Sequence, residues 1–269
     1  MCKIDFYLLP ANYYKNITLD DIFKLKEILD AIKLKDKFIV PDGFYYNADK
    51  QNITACDYLY GNGQNDISRY LMEVISKQSS SAYNYDLISR KEYIGYVAFA
   101  SEIIEPQKEK ICAYNSKNDI TKVKRFYIMQ TMSYEEYCKW IEDCFPNLLF
   151  HKNAFDVIQK LGKFQDVKEE LHRHLVVLCD NAKDIYYEHG KSEKDTYAVL
   201  KSKYGIFCSG KGSNEEKEFK VNYNGIKITC NPHTKLFTEY SDQRIYFCWG
   251  RDDIDNHNII VARIGNHWN

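Results

Sequence analysis

The chain has 269 residues, of which 45% are hydrophobic and 28% are charged. This composition is ordinary for a folded globular protein and excludes a chain that is disordered throughout. With 37 basic and 38 acidic side chains, the net charge is −1. Such a balance excludes a protein that holds nucleic acid by bulk charge alone, but it leaves a local basic site open.

Cysteine usage and the first residues of the sequence indicate a cytoplasmic protein. The nine cysteines are odd in number, scattered and without any C-x-x-C pair, which favours reduced, buried thiols over disulfides or a zinc site. The opening residues lack the basic leader and apolar stretch of a signal peptide. No apolar run approaches the ~18–20 residues of a membrane span. We therefore expect a cytoplasmic chain without a metal, a cofactor or a membrane partner.

The first part of the chain predicts a mixture of helices and strands. Strands are expected at 2–9, 37–40, 44–47, 54–60, 92–100 and 125–131. The spacing of apolar residues predicts helices over 22–32 and 66–77. The capping box that begins at Ser133 and includes Glu136 predicts a helix through Cys144, before Pro146.

After Pro146 the pattern changes to helices followed by strands. Helices are expected at 154–161, 167–178 and 193–203, and strands at 218–223, 226–230, 244–249 and 258–264. Asn224-Gly225, between the first two of these strands, is a strong hairpin signal. This order predicts an α+β fold with a small four-stranded antiparallel sheet. We divide the chain into an N-terminal α+β domain at 1–150, with a partner-binding or regulatory role, and a C-terminal domain at 151–269.

Two other motifs are weaker candidates for function. The Gly205–Ser213 segment nearly matches a phosphate-binding loop, but Gly212 stands where a hydroxyl should hold magnesium, and no apolar strand is predicted before it. A nucleotide-dependent enzyme therefore remains a minor alternative. His172 and His174 lie two residues apart in a predicted helix, so they face different directions and cannot share a metal.

The candidate site consists of polar residues in the predicted C-terminal sheet. These are His233, Lys235, Arg244, Tyr246 and His267. Strand alternation puts Arg244 and Tyr246 on one face, and His233 and Lys235 share the same spacing. An exposed polar strand face without any activity accounts for the five residues equally well.

A set of this kind has the side chains that metal-independent RNA cleavage requires. A base must accept the 2′-hydroxyl proton, an acid must protonate the leaving 5′-oxygen, and cations must stabilise the phosphorane between them. Histidine suits both proton-transfer roles, which fall to His233 and His267. Lys235 and Arg244 would bind phosphate, and Tyr246 would assist or stack on a base.

The C-terminal part resembles the RelE/ParE toxin fold. The resemblance covers 150–269 and lies in the order of helices, a hairpin, the Arg244–Phe247 motif R-I-Y-F and the Ile264–Trp268 motif I-G-N-H-W. It implies a small antiparallel sheet with a basic face. RelE-type members cleave messenger RNA in the ribosome with basic residues and a tyrosine rather than a metal, whereas ParE-type relatives inhibit gyrase. By this resemblance Arg244 and Tyr246 belong to the RNA-facing surface.

The same tail also resembles a C-terminal block of uncharacterised bacterial proteins of phage defence or mobile elements. His233, Lys235 and His267 match that block, in its H-x-K-L and I-G-x-H motifs. The resemblances together imply a toxin-like effector that cleaves or binds RNA, with RNA or the ribosome as its partner. The alternative is a non-catalytic module that docks an antitoxin or another defence protein. One departure favours the alternative: 151–269 carries 18 basic and 17 acidic side chains, whereas RelE-type toxins are strongly basic.

Overall fold

The computed structural model describes residues 5–8, 27, 30, 37–39, 94–97, 111–114, 117–210, 219–254 and 257–268. The chain divides into two compact units, Met1–Tyr127 and Ile128–Asn269. The boundary expected at residue 150 therefore falls inside the second unit. The segments predicted at 44–47, 54–60 and 66–77 lie outside the described residues.

The described residues of the first unit include four short parallel strands. They are β1 (Asp5–Leu8), β2 (Lys37–Ile39), β3 (Ile94–Val97) and β4 (Ile111–Tyr114). Their order in the sheet is β2-β1-β3-β4. Strands are thus present within the predicted ranges 2–9, 37–40 and 92–100. Glu27 and Asp30, within the helix predicted at 22–32, are helical.

Helix α1 (Lys117–Ile128) occupies most of the segment that was predicted as a strand at 125–131. That prediction was wrong. Ile120, Lys124 and Ile128 are all buried, and the spacing i, i+4, i+8 forms one stripe along a helix. The aromatic and branched residues of the segment favour a strand by propensity, but burial at helical spacing overrides that preference.

The described residues of the second unit form four further helices. They are α2 (Tyr134–Cys144), α3 (Phe164–Val177), α4 (Lys183–Glu188) and α5 (Glu193–Tyr204). A 3-10 turn at Ile158–Leu161 precedes α3, and a π-helical turn at Leu178–Ala182 joins α3 to α4. The Ser133 side chain accepts a hydrogen bond from the Glu136 N–H at 3.2 Å. The predicted helix start at Ser133 is therefore confirmed.

The strands of the second unit form a five-stranded sheet and a separate hairpin. They are β5 (Leu148–Phe150), β6 (Phe207–Ser209), β7 (Lys220–Tyr223), β8 (Ile226–Thr229), β9 (His233–Lys235), β10 (Gln243–Cys248) and β11 (Ile259–Asn266). The sheet order is β5-β11-β10-β9-β6, and β7 pairs only with β8. The β5–β11 pair is parallel, and the other pairs are antiparallel.

This arrangement is mixed α+β, as expected, but its sheet differs from the predicted four-stranded antiparallel one. The hairpin with its turn at Asn224-Gly225 is confirmed. Its two strands do not join the main sheet but pack on one face of it. Ile228 of the hairpin belongs to one apolar cluster with Cys248 and Ile260 of the sheet. The helices cover the opposite face, where Phe247 and Val261 join the main core.

The helix predicted at 154–161 is wrong except for its last turn. The Ile264 N–H donates to the Ala154 carbonyl at 2.8 Å, and the His151 N–H donates to the Val261 carbonyl at 2.9 Å. Because the segment after β5 gives these backbone groups to β11, Ala154 cannot begin a regular helix. Only Ile158–Leu161 turns, in 3-10 form.

Two observations concern the cysteines and the helices of the described residues. All six cysteines for which the structure gives a state are free, and four of them are buried. No helix within the described ranges is long and apolar enough to cross a membrane.

Candidate nucleic-acid interface

Three neighbouring strands bring the candidate residues together in two rows. In one row His233 of β9 pairs with Tyr246 of β10, which pairs in turn with Arg263 of β11. In the other row Lys235 pairs with Arg244. Directly opposed residues of a sheet point to the same face. We call this surface, formed by His233, Lys235, Arg244, Tyr246 and Arg263, the basic face.

A β-bulge in β11 places Arg263 on the basic face. The register passes from Tyr246 opposite Arg263 to Phe247 opposite Val261, so Ala262 has no opposed partner. Ala262 packs against the hairpin cluster, on the same sheet face. Bulges of this kind redirect side chains and are common beside functional sites. Sequence analysis missed Arg263, although the inward-facing Ile264 that follows it was a usable signal.

Tyr246 lies at the centre of the basic face and is 4% exposed. Its hydroxyl is within 3.3 Å of Arg244 Nη1 and accepts a hydrogen bond from the Trp268 N–H at 3.2 Å. The Tyr246 ring packs against His233, with centroids 4.9 Å apart, and against Phe219, with centroids 5.3 Å apart. The tyrosine is therefore fixed on both its polar and its apolar sides.

His233 is also buried, with 5% of its surface exposed. Its Nδ1 lies 2.9 Å from the Asn231 carbonyl, and because a carbonyl only accepts, Nδ1 must carry the proton. This bond and the contact with Tyr246 fix the imidazole ring. In this geometry His233 orients Tyr246.

Three cations of the basic face form no ion pair with a described carboxylate. Within the described part of the chain, Lys235, Arg244 and Arg263 form no ion pair with Asp or Glu. The Lys235 ammonium donates to the Glu239 backbone carbonyl at 2.9 Å. Burial, and next the charge of Arg244, lower the pKa of Lys235. The charge of Glu239 acts in the opposite direction and raises the pKa of Lys235, so it offsets part of the positive charge at one end of the basic face.

The two arginines retain unused hydrogen-bonding capacity. The Nε atoms of Arg244 and Arg263 are buried and have no hydrogen-bond partner in the described structure. A buried donor left unsatisfied costs roughly 1–3 kcal/mol. An anion on the basic face would supply acceptors for these groups, and arginine binds phosphate with two parallel hydrogen bonds.

His267 follows the end of β11 and is partly exposed. The Trp268 N–H binds the Tyr246 hydroxyl, and the Trp268 ring packs on Phe219 at a centroid distance of 5.0 Å. These contacts hold the segment that contains His267 beside Tyr246. Of the two candidate histidines, His267 is the one with access to solvent.

A buried polar network supports β9 from the helix side. His174 of α3 is fully buried, and its ring joins Thr234 Oγ1 at 2.8 Å to Glu170 Oε1 at 3.1 Å. Burial is the main cause that lowers the pKa of His174. The neutral ring therefore donates from Nε2 to Glu170 and accepts from Thr234. The hydrogen-bonded series Thr234, His174 and Glu170 resembles a catalytic triad. Thr234 is fully buried, however, and cannot contact a substrate.

The Gly205 segment does not have the order of a phosphate-binding loop. Gly205, with a φ of 65°, is the left-handed cap at the end of α5, and β6 follows it. A phosphate-binding loop needs a strand before it and a helix after it. The helix that precedes Gly205 argues against the nucleotide-dependent alternative. Within the described ranges, no group of three His, Cys, Asp or Glu side chains is placed to hold a metal.

Comparisons with known proteins identify no relative. No family model, no curated protein and no solved structure matches the chain.

Proposed function

We propose that this chain is a cytoplasmic, toxin-like effector with a RelE-like C-terminal unit that binds RNA on its basic face and cleaves it without a metal. Its setting would be a bacterial toxin–antitoxin or phage-defence system. One observation carries the proposal: Lys235, Arg244 and Arg263 gather around Tyr246, and among the described residues none of the three forms an ion pair with a carboxylate.

The charges of the basic face fit the phosphate backbone of RNA. Opposed strands lie about 4.8 Å apart, so Lys235 and Arg244, which are opposed, repel each other. This repulsion destabilises the folded state, which also buries the Nε donors of Arg244 and Arg263 without a partner among the described residues. A phosphodiester would offset both costs, because it adds negative charge and several acceptors at once. The near-neutral charge of the whole chain is compatible with a local site of this kind.

The residues around Tyr246 can be assigned to the steps of RNA cleavage. The 2′-oxygen attacks phosphorus and loses its proton to a base, while the bond from phosphorus to the 5′-oxygen breaks and that oxygen gains a proton from an acid. The products are a 2′,3′-cyclic phosphate and a 5′-hydroxyl. His267 and His233 are the proton-transfer candidates, and the exposure of His267 favours it for direct contact. Arg244, Arg263 and Lys235 would stabilise the phosphorane.

The alternative function is a non-catalytic interaction module of a defence or toxin–antitoxin complex. The burial of His233 and Tyr246 favours it, because a buried imidazole cannot exchange a proton with a docked substrate. In that case the basic face would bind an acidic segment of a protein partner, such as an antitoxin.

The first experiment compares growth arrest on induced expression of the wild type, Arg244→Ala and His267→Ala. Arg251→Ala is the matched control, because Arg251 is exposed, is bonded to Asp253 and does not belong to the basic face. We expect the wild type and the control to arrest growth and the two site variants to be harmless. Thermal melting must show that all four proteins are folded.

The second experiment incubates the purified full chain with RNA in the presence of EDTA. We expect fragments that end in a 2′,3′-cyclic phosphate and begin with a 5′-hydroxyl. RNA binding without such fragments would reduce the proposal to an RNA-binding function. The absence of both growth arrest and RNA binding would overturn it in favour of the interaction module.

A further inference from the structure

A groove of about 430 Å³ lies beside the edge strand β6, and Lys235 belongs to both this groove and the basic face. Its principal lining residues are Tyr197, Lys201, Phe207, Lys235, Glu239 and Tyr240. The volume lies within the range of small-molecule sites, which is roughly 300–1,000 Å³. The groove thus has room for one small planar group.

The groove combines aromatic rings with lysines. The Lys201 ammonium lies 5.2 Å from the centre of the Phe207 ring. Tyr240 is 88% exposed, which leaves its ring free to cover a ligand. Aromatic side chains of this kind stack on bases, and lysines bind the adjoining phosphates.

The loop that carries Tyr240 is held in place before any ligand arrives. The Phe237 N–H donates to Glu170 Oε1 at 2.9 Å, and the Lys235 ammonium donates to the Glu239 carbonyl at 2.9 Å. Phe237 has a φ of 65°, a left-handed conformation that is costly for a bulky residue and persists only where its surroundings hold it. A fixed loop loses less conformational entropy when a ligand binds.

Strand pairing connects the groove to the basic face. Phe207 pairs with Lys235, and Lys235 pairs with Arg244. Two strand spacings amount to roughly 10 Å, so the aromatic ring and the arginine are close enough to contact neighbouring parts of one RNA strand. A basic face alone would bind phosphates without regard to the bases.

We infer that this groove is a nucleobase-binding site, in which an unpaired base of single-stranded RNA stacks on Phe207 and Tyr240 while its phosphates lie on the basic face. This inference rests on the proposed function and deepens it, because it makes the substrate single-stranded RNA. The Lys201–Glu239 pair at 3.4 Å, which is exposed and therefore weak, would open when the base enters.

The test measures binding of the full chain to two short oligonucleotides of equal charge. One is a 2′-O-methyl RNA, which cannot be cleaved because its 2′-oxygen is blocked, and the other is the same chain without bases. We expect the wild type to bind the first more tightly by about 5- to 150-fold for each stacked base. Phe207→Leu and Tyr240→Leu should lose this preference and keep the affinity for the abasic chain.

A matched control and distinct outcomes separate this inference from the proposed function. Tyr187→Leu alters another ring that lies below a lysine, Lys191, but does not line the groove, so it should keep the full preference. Two results would overturn the inference about the groove but leave the proposed function standing. One is equal binding of both oligonucleotides by the wild type, and the other is an unchanged preference in the folded Phe207 and Tyr240 variants. Binding of neither oligonucleotide would overturn the proposed function, and the inference with it.

Discussion

The Trp268 backbone N–H donates a hydrogen bond to the Tyr246 hydroxyl at 3.2 Å. This bond ties the residues that follow β11 to the middle of the neighbouring strand β10. It fixes the position of the segment that carries His267, a candidate for proton transfer. The Tyr246 hydroxyl therefore has a structural task beside the candidate site.

Tyr246→Phe removes the acceptor for the Trp268 N–H and for Arg244 Nη1. We expect RNA cleavage to fall at least tenfold and the free energy of unfolding to fall by about 1–3 kcal/mol, the typical net value of two hydrogen bonds. Cleavage assays and urea denaturation measure the two effects. Tyr134→Phe is the matched control, because it loses a hydroxyl that donates to the Gly162 carbonyl at 3.2 Å, and it should keep full cleavage. Equal cleavage by both variants would exclude a role of Tyr246 in the site.

Arg263→Ala should weaken RNA binding without weakening the fold. The guanidinium of Arg263 forms no ion pair in the described structure, and its Nε is buried without a partner. We therefore expect an unchanged or raised melting temperature. The slope of log affinity against log salt should become shallower by about 0.7–1, the share of one phosphate contact.

Arg251→Ala provides the comparison for the Arg263 variant. Both changes remove one arginine, but Arg251 is exposed and bonded to Asp253 at 2.8 Å. The salt slope of this control should equal that of the wild type. An equal change of slope in the two variants would mean that binding depends on net charge rather than on the basic face.

His174 should make the protein less stable as the pH falls from 7 to 5. Burial lowers the pKa of His174 in the folded state, whereas an unfolded histidine titrates near about 6.5. The unfolded chain therefore binds the proton more readily, so the stabilising contribution is present above about pH 6.5 and is lost as the pH falls through the folded pKa. The limit for one proton is about 1.4 kcal/mol per pH unit.

Urea denaturation between pH 5 and pH 7 measures this dependence. His174→Gln should be less stable at pH 7 because it disturbs the bonds to Glu170 and Thr234, and it should also show a flatter pH dependence. His189→Gln, at an exposed position after α4, should retain the slope of the wild type. If stability depends on pH in the His174 variant as it does in the wild type, another titrating group causes the loss of stability at low pH.

Gly265→Ala should destabilise the end of β11 where it meets the segment after β5. An added Cβ would lie 2.7 Å from Val157 Cγ2 and 3.1 Å from the Val157 carbonyl oxygen. We expect a loss of about 1–3 kcal/mol, visible as a lower melting temperature. The double variant with Val157→Ala should recover part of this loss, because it removes the nearer atom. No change in the single variant would mean that the segment relaxes freely.

The basic face was predictable from sequence as far as strand alternation applies. Arg244 and Tyr246 were expected on one face of their strand, and His233 and Lys235 prove to be their partners across β9 and β10. Arg263 was missed because a β-bulge at Ala262 interrupts the alternation of β11. Counted forward from the core residue Val261, alternation puts Arg263 on the core face, and only counting back from the core residue Ile264 puts it on the basic face.

The fold was predictable where the signals are local. The Ser133 cap and the Asn224-Gly225 turn depend on a few adjacent residues, and both are present. Strands β5 and β6 have three residues each, which is too short for a periodic pattern. Their places in the sheet depend on partners distant in sequence, so no local signal could reveal the parallel pair or the separate hairpin.

The position of β11 has a consequence for how the protein is synthesised. This strand lies between β5 and β10, although β5 precedes it by about a hundred residues in the chain, and contacts of such large sequence separation form slowly. On a translating ribosome, the sheet cannot close until β11 has left the exit tunnel. Arg263 arrives with the same strand, so the basic face is incomplete until β11 has emerged and paired with β10.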